Sequence, residues 1–161
     1  MQTHSGRKRF WRYAPLALWM FVISFASTSE FSAINTSRII GPLLLWLFPN
    51  LSAERIETVH FLIRKAAHLT EYAVLGLLAA RAFFASSHDL LRRSWFPLGF
   101  LLILVYGLLD EYHQSFVPSR TASLYDSAID VTGGLVGLLV FAYFHRRANN
   151  RLNQGAATPL A

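Results

Sequence analysis

Residues 95–115 read WFPLGFLLILVYGLLDEYHQS, and the order of residue types along this stretch decides the fold class. From Trp95 to Leu109 there is no charge, and the apolar residues surround the would-be helix instead of forming one stripe. At about 1.5 Å per residue the stretch is about 30 Å long as a helix, the thickness of a bilayer's hydrocarbon core. Trp95 and Phe96 place aromatic rings at interface depth, and Pro97 falls in a first helical turn, where its missing N–H costs nothing. The far end differs in kind: Asp110, Glu111, His113 and Gln114 crowd the last turns before Pro118.

Working outward, 124–144 is a second apolar block and closes on His145-Arg146-Arg147. Residues 66–86 form a third, and 13–27 a fourth that follows Arg7, Lys8, Arg9 and Arg12. This first block in chain order also has the outline of a cleaved signal peptide. Trp11, Tyr13 and Trp19 at interface positions, and the lack of an Ala-x-Ala site at Ala26-Ser27, favour a retained helix. Residues 39–48 are apolar but too few to span; Gly41-Pro42 interrupts them and Pro49 closes them, so an interfacial or re-entrant piece is expected. Residues 52–65 carry Ile56, Val59 and Ile63 at helical spacing with Glu54, Arg55, Glu57 and Arg64 elsewhere, the pattern of an amphipathic surface helix leading into the 66–86 span. The fold class expected is all-α integral membrane, with about four transmembrane helices plus these two shorter pieces. The polar tail after the last span is expected to be disordered.

Composition agrees. Hydrophobic residues make up 53% of the 161 and charged residues 15%, and mean hydropathy is +0.35. A soluble chain of this size could not bury several helices that are apolar all round. The net charge of +6 lies in short clusters beside apolar blocks, as at Arg92-Arg93 and Arg146-Arg147, and not in a continuous basic groove, which argues against nucleic acid as a partner. Cysteine is absent, which removes disulfides, thiol nucleophiles and Cys-based zinc sites. With the N-terminus inside, ten Lys and Arg residues fall on the inner side and five on the outer. Both termini are therefore expected in the cytoplasm.

On that topology the unusual residues meet. His68 and Glu71 open the second span, Asp110 to Gln114 close the third, Arg120 lies in the short connecting loop, and Asp126 and Asp130 open the fourth. Arg64, His68 and Glu71 form one stripe, as do Asp110, His113 and Gln114, and Asp126 with Asp130. The last stripe continues through Gly133 and Gly137, whose small-xxx-small spacing lets a helix approach and turns the aspartates inward. The same glycine face could serve a second copy of the chain, so a homo-oligomer stays open. Ionisable groups at this depth must pair or surround something polar. Arg64, Lys65 and Arg120 against Glu71, Asp110, Glu111, Asp126 and Asp130 leave the cluster two negative charges in excess. Protonation, a divalent cation or a cationic ligand would each balance it.

Ion pairs tying helix ends together account for part of such a cluster, but groups from three helices and a loop point to a binding site. His68-x-x-Glu71 and Asp110-x-x-His113 resemble two-ligand metal pairs only loosely; ion pairing explains them as well, and no metal or cofactor is expected. Ser115, Ser119, Thr121 and Ser123 near His113 form no recognisable nucleophile motif.

Three strings carry a resemblance. Arg64-Lys65-Ala66-Ala67-His68-Leu69-Thr70-Glu71-Tyr72, the run Asp110-Glu111-Tyr112-His113-Gln114-Ser115-Phe116-Val117-Pro118-Ser119-Arg120, and Asp126 followed by Gly133 and Gly137 resemble the signatures of VanZ-like membrane proteins. Ser119 stands where that pattern has Gly, and Asp130 where it has Asn. The resemblance implies a VanZ-like transmembrane domain over 1–145 with a cytoplasmic tail over 146–161, in a bacterial inner membrane, and a link to glycopeptide (teicoplanin) susceptibility. The function expected is an outward-facing polar pocket that handles a cell-envelope ligand, a lipid-linked headgroup or glycan. Its binding residues would be Arg64, Lys65, His68, Glu71, Gln114, Arg120, Asp126 and Asp130. The alternative is a membrane hydrolase or transferase in which His113 works with Asp110 or Glu111 as an acid–base pair.

Overall fold

The computed structural model describes residues 3–28, 33–118 and 123–156. All regular structure among them is helical: α1 (Thr3–Ala26), α2 (Ala33–Leu47), α3 (Ala53–Phe84), α4 (Asp89–Arg93), α5 (Trp95–Gln114) and α6 (Leu124–Ala156). Ser52 starts α3 by accepting a hydrogen bond from the Arg55 N–H. From there the expected surface helix and the 66–86 span run on as one helix of 32 residues, because nothing between Ala53 and Gly76 breaks the backbone ladder. At about 1.5 Å per residue it is about 48 Å long, so its first turns overrun a hydrocarbon core of about 30 Å. All but the last residue of the expected broken piece at 39–48 lies in α2, a 15-residue helix that continues through Gly41 and Pro42. At about 22 Å it remains too short to span.

Two helices are long and apolar enough to cross a membrane among the described residues: α5 and the Leu124–Arg151 portion of α6. α1 and α3 have the length, but their sequences are less apolar. Outward faces of the bundle are rich in large apolar side chains, including Phe21 and Phe25 on α1, Leu101 and Leu108 on α5, and Val136 and Leu139 on α6. A surface of this kind needs an apolar surround. α6 passes the boundary expected at 145 and stays helical to Ala156, since no breaker intervenes before Gly155; the last five residues of the expected tail lie outside the described residues.

The centre of the bundle is the α3–α6 contact. A Cβ built on Gly133 would lie 2.2 Å from the Leu69 carbonyl oxygen, and one on Gly137 2.1 Å from that of Ala73. These two backbones touch, and only glycine permits it. Gly76 approaches Gly134 in the same way, and Ile103 of α5 packs on Gly134. The glycine face is thus used within the chain. Around it Tyr72, Leu75, Ala79, Ile103 and Leu138 are fully buried. α1 docks through polar contacts: Tyr13 with Ser86 at 2.7 Å, Trp19 Nε1 donating to the Glu71 carbonyl at 2.8 Å, and Ser24 with Tyr106 at 2.7 Å.

Candidate functional site

Close α3–α6 contact carries the aspartates of α6 into the interior. Asp130 is one turn before the glycines, on the same face, and is completely buried. His68 of α3 is opposite: its Nδ1 is 3.1 Å from Asp130 Oδ1, and the imidazole is also largely buried. One turn earlier on each helix, Lys65 forms an ion pair with Asp126 at the edge of the bundle, with its ammonium 5.0 Å from the centre of the Phe61 ring. The sequence placed these four residues at one membrane level; the structure joins them in two cross-helix pairs.

The third wall is α5. Its buried stripe runs Gly99, Ile103, Gly107, Asp110, Glu111 and Gln114. Gln114 Nε2 donates to Asp110 Oδ2 at 3.0 Å, and to Ser27 of α1 at 3.4 Å. Glu111 Oε1 accepts the Ser123 N–H that leads into α6. His113 is exposed and is not among the buried residues of this stripe. The spacing Asp110, His113, Gln114 suggested one face. Packing of α5 onto Tyr72 and Asp130 through Gly107 sets the inward direction, with Asp110 and Gln114 buried and His113 exposed. Arg120 lies outside the described residues.

Four buried polar atoms in this region have no hydrogen-bond partner among the described residues: Tyr72 Oη, Glu111 Oε2, Ser127 Oγ and Asp130 Oδ2. Buried polar atoms are nearly always paired, and this unpaired set is contributed by three helices, α3, α5 and α6. Tyr72 and Ser127 were not singled out from the sequence. A signal existed for Tyr72, four residues after His68 on the same helix face, but a tyrosine in an apolar run is ordinarily read as packing.

A cavity of about 160 Å³ opens beside this network between α1, α2 and α3. Arg64, His68 and Glu71 line it together with Ser27 and Thr36. His68 therefore faces the cavity and holds Asp130 in the interior. Such an arrangement offers a guanidinium for phosphate or carboxylate, carboxylates for hydroxyls or amines, and an imidazole able to give or accept a proton. Among the described residues no three His, Asp or Glu side chains converge closely enough to hold a metal ion.

Residues 10–145 match the VanZ/LLP1 family over nearly the whole helical bundle. The chain belongs to the VanZ/LLP1 family. No curated protein and no solved structure matches it. Family membership and two membrane-capable helices together fit a membrane protein. The match takes in every residue of the α3–α5–α6 network, so the buried polar cluster lies within the part of the chain that defines this VanZ/LLP1 protein.

Proposed function

We propose that this VanZ/LLP1 protein spans a bacterial inner membrane four times, through α1, α3, α5 and α6, with both termini in the cytoplasm. Its polar network would then open to the envelope side and bind the headgroup of a lipid-linked envelope precursor or glycan. The observation that carries this reading is His68, which lines the cavity and at the same time holds the fully buried Asp130. A residue on the ligand's path is thereby tied to a set of buried polar atoms that have no hydrogen-bond partner among the described residues. Arg64 would meet the phosphate or carboxylate of the ligand, and Glu71 its hydroxyls or amines. Reduced access of teicoplanin to its lipid-linked target is the cellular effect such binding would have.

The His68–Asp130 pair also supports a second reading, a hydrolase or transferase acting on an envelope lipid or glycan. A carboxylate that orients an imidazole is the ordinary acid–base arrangement. In that reading His68 with Asp130 takes the place expected for His113 with Asp110 or Glu111.

Two experiments test the proposal. Because cysteine is absent, Ser115→Cys and Ser94→Cys introduce single thiols at opposite ends of α5. Labelling of intact cells by a membrane-impermeant maleimide should occur at 115 and not at 94; the reverse places the cluster in the cytoplasm and removes envelope ligands. Purified protein is then incubated with a lipid-linked disaccharide–peptide precursor. Retention of the precursor lost in Arg64→Ala supports binding, and turnover lost in Asp130→Asn with retention kept supports catalysis. Neither retention nor turnover refutes both.

A further inference from the structure

The opposite end of the bundle, away from the acidic cluster, holds a second and larger cavity of about 1000 Å³ between the start of α5 and the last turns of α6. Its walls are of two kinds. Trp95, Phe96 and Leu139 supply apolar surface continuous with the outward apolar face of α6. Arg146, Arg147 and Arg151 supply three guanidinium groups, all exposed. Arg147 is steadied by donating to the Tyr143 hydroxyl at 3.3 Å, which leaves most of its donors unused. Among the described residues no carboxylate lines this cavity, and none of the three arginines forms an ion pair. Arg92 nearby in sequence is by contrast neutralised by Asp89. The site also has a firm floor, since Phe84, Trp95, Phe141 and His145 pack ring on ring, with the Phe84 and His145 centroids 4.3 Å apart.

We propose that this cavity binds an anionic phospholipid, its phosphate held by Arg146, Arg147 and Arg151 and its first acyl carbons lying on Trp95, Phe96 and Leu139. Charge complementarity selects the head: a guanidinium matches phosphate through paired N–H donors, and three of them without a neighbouring carboxylate favour an anion over a zwitterion. Position selects a lipid over a soluble phosphate. The apolar wall runs into the lipid-facing side of α6, and Trp95 and Tyr143 are interfacial residues at the depth of headgroups. The site is independent of the envelope-ligand reading, as it shares no residue with the acidic cluster.

The test uses the full-length protein in a neutral detergent, mixed with phosphatidylglycerol or phosphatidylcholine and read by native mass spectrometry. Phosphatidylglycerol should be retained in preference, and Arg147→Ala/Arg151→Ala should weaken its retention by about tenfold or more. Arg7→Ala/Arg9→Ala, which removes the same charge elsewhere, should leave retention unchanged. Equal retention of phosphatidylcholine, or equal loss in both double variants, overturns the proposal in favour of diffuse surface charge. Displacement of the lipid by millimolar inorganic phosphate also overturns it, since the site would then take free phosphate. A readout that does not depend on the arginine variants is quenching of tryptophan emission by phosphatidylglycerol brominated in its acyl chain. Trp95→Phe should abolish the saturable part of the quenching, and an undiminished response refutes contact with this wall.

Discussion

Gly137→Ala tests whether the α3–α6 contact builds the site. The added Cβ would stand 2.1 Å from the Ala73 carbonyl oxygen and 2.9 Å from the Leu77 nitrogen. Both are backbone atoms in the middle of α3, so neither can swing aside. Restoring ordinary contact requires the helices to part by about 1 Å, the kind of overpacking that costs about 1–3 kcal/mol. The same movement stretches the His68–Asp130 contact, now 3.1 Å, past the hydrogen-bonding limit. A lost bond between buried groups adds about 1–3 kcal/mol, and alanine's better helix propensity returns at most about 1 kcal/mol. The net expectation is destabilisation by about 2–4 kcal/mol and a fall of roughly 5–10 °C in the unfolding midpoint, followed by tryptophan fluorescence in detergent. Gly41→Ala is the control, because nothing lies within 4 Å of its Cβ position and α2 is helical there. It should be neutral or stabilising by up to about 1 kcal/mol. If Gly137→Ala melts with the parent, or Gly41→Ala falls as far, the packing argument is refuted.

Asp130→Ala strips the His68 imidazole of its buried partner and should cost about 1–3 kcal/mol in the same melt, with Asp130→Asn milder. The double variant with His68→Ala should lose less than the two single losses added together; strict additivity would show that the pair is not coupled. Tyr106→Phe removes the hydroxyl that joins Ser24 and the Met20 carbonyl of α1, and should cost about 1 kcal/mol. Faster protease cleavage between α1 and α3 should accompany it, and unchanged cleavage would mean that α1 is held by other contacts. His113→Ala should leave both the melt and the retention of a lipid-linked precursor within error of the parent, because the ring is exposed off the buried stripe. A loss comparable to that of Asp130→Ala would return His113 to the site.

Much of the architecture was legible in the sequence because its causes are local. The length of an apolar run decides whether a helix can cross a bilayer, and α5 starts at Trp95 as read and ends one residue short of the stretch 95–115. The gathering of His68, Asp110, Glu111, Asp126 and Asp130 at one level follows from which end of each run they occupy. The close approach at Gly133 and Gly137 followed from side-chain size and spacing. The direction each side chain takes is not a local property. A helix apolar all round offers no stripe to mark its inward face, so only packing of α5 against Tyr72 and Asp130 decided that Glu111 turns in and His113 out. Partner choice depends likewise on the relative height and rotation of two helices. Lys65 with Asp126 and His68 with Asp130 follow from where the α6 glycines seat on Leu69 and Ala73, a backbone contact between segments some sixty residues apart.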